Sequence, residues 1–371
     1  MGPSAQARKF VKALATRTLE FEFEFMPYRL ERVSTSKLLT LVRSKLNSAR
    51  RRPGAPWYPV QLMIEPSAAC TLRCPLCPAG TKAVNEHRGV MASSTFKSLM
   101  DEVGDHAVIA ILWMWGEPFV NPRLSDMIAY ARSKNVATVT STNGQHIQTK
   151  QEAEALVASG LDNLIVALDG ATQETYSQYR AGGDIRKIFR CLELIRQAKD
   201  SLGSDKPGVN VRAVVTKYNE HEFPEIERLA RRYGADMVSR KRASALDYRT
   251  SDADESFTPE TSRYRRFRYR RRPSAHPPKK KFHCRRPWNR MSVAWDGTTL
   301  SCEFDFTKTA PFGHGSSEGS FLASWWGQEA TAFREQFLAD MTAYPFCADC
   351  PYEWRSPREC TIETVRLKRQ A

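Results

Sequence analysis

Glu65-Pro-Ser-Ala-Ala-Cys70-Thr-Leu-Arg-Cys74-Pro-Leu-Cys77-Pro78 sets three cysteines on one short stretch, with three and then two residues between them. It follows Val60-Gln-Leu-Met-Ile64, an apolar run that reads as a buried strand. The cysteines therefore lie on the loop leaving the C-terminal end of a strand, the face on which α/β barrels build their sites. Three thiolates so spaced can hold three irons of a four-iron cluster, whose usual full set is Cys₄, and leave one iron for a ligand that is not protein. A structural zinc asks for four ligands, and this stretch offers no fourth Cys or His.

The stretch resembles the Cys-x3-Cys-x2-Cys signature of the radical S-adenosylmethionine (SAM) enzymes. The resemblance implies that Cys70, Cys74 and Cys77 ligate a [4Fe-4S] cluster whose free iron is chelated by SAM. It also implies reductive cleavage of SAM to a 5′-deoxyadenosyl radical that abstracts a substrate hydrogen. Leu76 stands where many members carry an aromatic residue against the adenine.

Outward from the cysteines, strands and helices alternate from Trp57 to about Ala245. Strands are predicted at 60–66, 107–115, 136–142, 163–169, 209–217 and 235–242. Helices are predicted at 94–104, 121–134, 149–159, 171–181, 184–200 and 222–233. Such alternation gives a parallel sheet covered by helices, short of a closed eight-stranded barrel. The resemblance implies the same α/β class, a partial (β/α)6 TIM-like barrel.

The strand ends carry further signals. Trp113-Met-Trp115-Gly116-Glu117-Pro118 looks like the family's Gly-Gly-Glu-Pro motif with Trp115 in place of the first Gly. In the family this backbone receives the methionine ammonium, as exposed carbonyls at an irregular strand end can. Ser141-Thr-Asn143-Gly144 is a turn sequence, and the family places polar residues here near SAM. Ala167-Leu-Asp169-Gly170 resembles the family's Ser-Leu-Asp-Gly, without the Ser hydroxyl. Asp169 is a candidate for SAM, for substrate, or for capping the next helix. The segment from Ala171 to Gly183, with Tyr176 and Arg180, also resembles the family. Arg212, alternating with apolar residues in the fifth strand, could pair with the methionine carboxylate or be an Arg at a strand edge. Cys191 falls on an apolar helix face and reads as core.

Past the barrel, residues 246–281 read as a polar, then basic connector. The segment from Arg263 to Lys281 holds ten Lys or Arg and no acid, within a net charge of +15. That run is either solvated or draws an anionic partner. In residues 282–371, Asp296-Gly297 between two β-rich runs reads as a hairpin turn bringing Cys284 towards Cys302. Cys347-Ala-Asp-Cys350 adds a close pair, and Cys360 follows. Four thiolates gathered this way suit Zn(Cys)₄ or a fully ligated cluster. The spacing resembles the auxiliary-cluster domain called SPASM, or its shorter form Twitch. Ser356 stands where SPASM has another cysteine. The resemblance implies one auxiliary [4Fe-4S] cluster on Cys284, Cys302, Cys347 and Cys350, with Cys360 an alternative ligand or a nearby catalytic thiol.

Residues 1–56 read as a basic helical extension. Leu38, Leu39, Val42 and Leu46 fall at helical spacing, on a helix packed on the barrel or lying on a membrane surface. No apolar run of about 18 residues is present to span a membrane. The chain lacks an apolar signal core, and eight of its nine cysteines fall in two groups, which suggests metal ligation in the cytoplasm rather than disulfides.

The expected activity is therefore a radical SAM oxidoreductase whose auxiliary cluster accepts an electron, with a flavodoxin- or ferredoxin-type reductant. A small sugar, aminocyclitol or nucleoside is the first substrate reading. A ribosomally made peptide is the second. An epimerase using Cys360 or Cys191 as hydrogen donor is the third. From another class, a zinc protein could use its basic connector on nucleic acid.

Overall fold

The computed structural model describes residues 12–54, 57–81, 88–243, 256–265, 284–316, 319–348, 350 and 361–367. Six parallel strands form its centre: β3 Gln61–Ile64, β4 Ile109–Leu112, β5 Ala137–Thr142, β6 Asn163–Ala167, β7 Gly208–Val215 and β8 Met237–Arg242. Helices Ser93–Val103, Leu124–Ser133, Lys150–Ala158, Gln173–Tyr179, Ile185–Ser201 and Phe223–Arg232 connect them. These are the predicted elements; most are shorter by one to five residues, and helices Ser93–Val103 and Ile185–Ser201 keep their predicted length with a shift of one residue.

Alternation along the strands separates two faces. Leu62, Ile64, Ala110 and Leu112 pack with the helices, and Met63, Ile109, Ile111 and Met237 fill the concave side. Cys191 lies in the helix–sheet core with no exposed surface. It does not line the cavity at the strand ends, so the hydrogen-donor reading of this thiol is corrected.

The C-terminal residues join this sheet instead of standing apart from it. Strand β9, Arg290–Val293, pairs parallel to β3; β12, Thr361–Arg366, pairs antiparallel to β8. With β10 Thr298–Leu300 and β11 Pro311–His314, ten strands run in the order β11-β10-β9-β3-β4-β5-β6-β7-β8-β12. The turn at Asp296-Gly297 joins β9 to β10 as an antiparallel hairpin. Gly297 has φ 93°, a conformation glycine adopts without strain.

The N-terminal extension is not all helix. β1 Leu19–Phe23 and β2 Met26–Leu30 form an antiparallel hairpin. Met26, Tyr28 and Leu30 are buried against the concave residues of the barrel. At the tip, Glu24 and Phe25 take positive φ, 49° and 65°. The Glu24 carboxylate forms an ion pair with Arg212 on β7, with 5% and 7% of the two side chains exposed. Arg212 is thus engaged within the barrel by a residue of the same chain, and Glu24 lines the cavity above. Replacing Glu24 by Ala leaves a buried guanidinium without its counter-charge. A loss of about 3–5 kcal/mol is expected, read as a lower urea midpoint. A midpoint equal to the parent's would contradict a structural role for this pair.

The helix Thr35–Arg50 follows, capped by the Ser34 side chain. It packs on the barrel, though through polar side chains as much as apolar ones. Lys37, Thr40, Ser44 and Asn47 are buried, whereas Leu39 and Leu46 are exposed. The Lys37 ammonium donates to the carbonyls of Gly104, Lys134 and Asn135, where two helices end. A cation at helix C-termini is favourably placed.

Candidate active site

At the C-terminal ends of the parallel strands lies a cavity of about 240 Å³. Cys70, Cys74 and Cys77 all line it, with Gly116, Ser141 and Asn143. The cysteine loop is held by backbone bonds to three neighbours. Ala68 N–H donates to Gly89, Arg73 N–H to Ala181, and the Ala69 carbonyl accepts from Glu117 N–H. Gly116 permits this approach, since a Cβ there would sit 2.0 Å from the Ser67 carbonyl oxygen.

The sulfurs are met by donors. Leu72 N–H and the Asn143 amide approach Cys70 Sγ at 3.5 and 3.8 Å, and Arg180 Nη1 approaches Cys74 Sγ at 3.8 Å. Burial pushes the Cys74 thiol up to about 12. Without metal it is a neutral thiol, and iron would have to displace its proton. Three convergent thiols with N–H donors at their sulfurs fit a cluster held as thiolates. Among the described residues no trio of His, Cys, Asp or Glu closes in enough for a single ion.

Asp169 has both oxygens engaged. One pairs with Arg180 Nε and the other accepts from Val214 N–H at 2.5 Å. The next helix is capped by Thr172 instead, so the capping role is corrected. Asp169 positions Arg180, whose guanidinium lies between the carboxylate and Cys74. Arg180 was visible in the sequence only as part of a family-like segment. Leu76 packs with Tyr179 and Ala243 in an apolar wall.

Glu117 is also spent on structure. Its carboxylate accepts from Asn143 N–H at 2.7 Å and Phe119 N–H at 3.3 Å, tying β4's end to β5's. Glu65 accepts from Trp115 N–H and Trp295 N–H, tying β4's end to that of β9. Burial raises both carboxyls to about 7. A raised carboxyl keeps in the folded state a proton that the unfolded chain releases near 4.5. Its contribution is intact at low pH and lost as pH climbs through about 7. The urea midpoint of the metal-free protein should therefore fall between about pH 5 and pH 8. Glu65→Gln should flatten that slope; an unchanged slope would assign it to other groups.

The second thiol set is gathered by β9, β10 and the turn Pro345–Ala348. Burial pushes the thiols of Cys284, Cys302 and Cys347 up; Arg286 opposes this at all three, while Glu303 and then Cys284 add to it at Cys302, and Cys350 and Cys284 add to it at Cys347. These four are therefore near one another, and none is in a disulfide. Arg286 approaches Cys302 Sγ at 3.6 Å and pairs with Glu303 at 2.7 Å. The set supplies four soft ligands, the number an auxiliary cluster needs. Cys360 and the residues 266–281 of the basic run lie outside the described residues.

Trp115 joins the two sets. Cys77 Sγ approaches its carbonyl at 3.9 Å, and its indole N–H donates to the Glu303 carbonyl, beside Cys302, at 2.6 Å. Its ring lies against Phe304 and Phe306. Sequence reasoning registered Trp115 only as a departure from a glycine motif.

Residues 64–230 match the family model described as Radical SAM superfamily, and 284–351 match one described as Iron-sulfur cluster-binding domain. Mycofactocin maturase MftC of Mycobacterium tuberculosis is 30% identical over 187 residues, 50% of this chain and 46% of that protein. The chain thus spans about half the length of the mycobacterial relatives it matches. The tungsten-containing aldehyde ferredoxin oxidoreductase cofactor-modifying protein of Pyrococcus furiosus is 25% identical over 319 residues, 78% of this chain and 86% of that one. Streptococcus suis SuiB bound to S-adenosylmethionine superposes with TM-score 0.58 at 15% identity, over 90% of this chain and 78% of that one, which supports the fold. No helix among the described residues is long and apolar enough to cross a membrane. Domains of the two matched families bind [4Fe-4S] clusters, the first together with SAM. Residues 64–230 thus form a radical SAM superfamily domain, and residues 284–351 an iron–sulfur cluster-binding SPASM domain.

Proposed function

We propose that this protein oxidatively modifies a substrate held in the cavity between its two cysteine sets. The carrying observation is the path from Cys77 through Trp115 to the Cys302 loop. When bound, a cluster and SAM at Cys70, Cys74 and Cys77 supply a 5′-deoxyadenosyl radical, and a cluster at Cys284, Cys302, Cys347 and Cys350 supplies an electron acceptor. Asn143 and Arg180 donate to the first set of sulfurs and stabilise their charge. Asp169 fixes Arg180 in place. Gly116, Glu117 and Pro118 shape the strand end against which the amino-acid part of SAM would lie. A flavodoxin- or ferredoxin-type protein is the proposed reductant.

The substrate is read as a small molecule or cofactor precursor. The Pyrococcus furiosus relative that matches along most of its length is named for modifying a cofactor. A peptide is the second reading, favoured by the maturase relatives and by SuiB, which has been crystallised with its precursor peptide SuiA. Deuterated candidate substrates separate the two. Deuterium entering 5′-deoxyadenosine from a small molecule supports the first reading, and from a peptide the second. Transfer from neither class, with SAM still cleaved, would contradict both.

A further inference from the structure

Resting on that function, we propose that Lys241 recognises an oxyanion group, a carboxylate or a phosphate, on the substrate. Alternation along β8 puts Met237, Ser239 and Lys241 on one face. Met237 packs inside the barrel, so Lys241 heads inward one layer nearer the strand ends, where it lines the cavity. It is half-buried, and among the described residues its ammonium has no ion-pair or hydrogen-bond partner.

The other charges around this cavity are committed. Glu24 is paired with Arg212, and Glu303 with Arg286 and Arg290. Glu117 is held by the N–H groups of Asn143 and Phe119. The Arg180 guanidinium is paired with Asp169, and Arg242 donates to the Arg263 carbonyl. Among the described residues, none of these acids is left to neutralise Lys241.

Position assigns this charge to substrate. Lys241 enters the cavity from β8, whereas the cysteine loop leaves β3, five places away in the sheet order, and meets the end of β8 through Leu76 against Ala243. An unpaired ammonium in a partly dehydrated cavity attracts an anion more strongly than one in bulk water, since screening is weaker there. A neutral sugar would leave it unanswered, whereas a substrate carrying a carboxylate or phosphate would be oriented by it.

The test is lysine acetylation of the iron-loaded, SAM-bound protein, read residue by residue by mass spectrometry. Pyrophosphate and citrate serve as separate probes, with chloride at matched ionic strength as control. Acetylation of Lys241 should slow about tenfold with one of them. The exposed Lys150, already paired with Glu154, should keep its rate. Protection by pyrophosphate assigns phosphate, and by citrate carboxylate. Equal rates at Lys241 with both probes and with chloride would overturn the proposal. A second arm measures equilibrium binding of the protecting probe. Lys241→Met should weaken it about tenfold and Lys241→Arg should restore it. Equal binding by the Met variant would overturn the proposal too. A sample that cleaves SAM with Lys241 unprotected overturns this assignment alone. A sample that loads iron and never cleaves SAM overturns the proposed function instead.

Discussion

Replacing Cys74 by Ser is expected to leave about four irons per chain in place of about eight. SAM cleavage should fall about a thousandfold, equivalent to about 4 kcal/mol of barrier. Serine keeps the shape but offers a hard oxygen in place of a soft thiolate, a poor ligand for cluster iron. The loop should stay in place, because its anchors are backbone bonds from Ala68, Arg73 and Glu117 that involve no cysteine side chain. The C-terminal set should keep its iron, since its ligands come from other elements. Cys302→Ser gives the mirror image: SAM cleavage persists while oxidised product fails to accumulate. Iron and sulfide counts on both variants check the assignment, and loss of all iron from either one would contradict two separate centres.

Gly116→Val should have the next largest effect, although Gly116 bears no side chain. A Cβ there meets Ser67 O at 2.0 Å, Ser67 C at 2.7 Å and Ala68 C at 2.8 Å. All three are backbone atoms, so the strain cannot be relieved by turning a side chain. The cysteine loop must move away from β4, breaking the bond from Glu117 N–H to the Ala69 carbonyl. A stability loss of about 1–3 kcal/mol is expected from the overpacking alone. The displaced loop should also lose its iron. Gly54 is the matched control: a Cβ there meets only Thr331 Cγ2 at 3.8 Å, and Gly54→Ala should be near neutral. If Gly116→Val retained full iron and SAM cleavage, the loop would not depend on this contact.

The parallel core was legible because a strand buried on both faces reads as an unbroken apolar run, as in Ile109–Leu112 and in residues 164–167. The hairpin at Leu19–Leu30 was missed although Leu19, Phe21, Phe23 and then Met26, Tyr28, Leu30 alternate strictly with polar residues or Pro27. Its turn is Glu24-Phe25, and neither residue announces the positive φ that it adopts. Arg212 could not be assigned from its strand, because its partner lies 188 residues away. Pairing of β9 and β12 with the barrel edges is non-local for the same reason: sequence marks a strand but not its neighbour. At the site, cysteine spacing marked both thiol sets, since ligand geometry constrains spacing directly. Arg180, Trp115 and Lys241 act through placement in space, and their identities alone carry little of that.

The most direct test is anaerobic reconstitution with iron and sulfide. Metals are then counted, and 5′-deoxyadenosine is assayed with SAM and a low-potential reductant on the same sample. About eight irons with matching sulfide, and 5′-deoxyadenosine formed only when reductant is present, is the expected result. Zinc in both thiol sets, with no sulfide and no SAM cleavage, would contradict it.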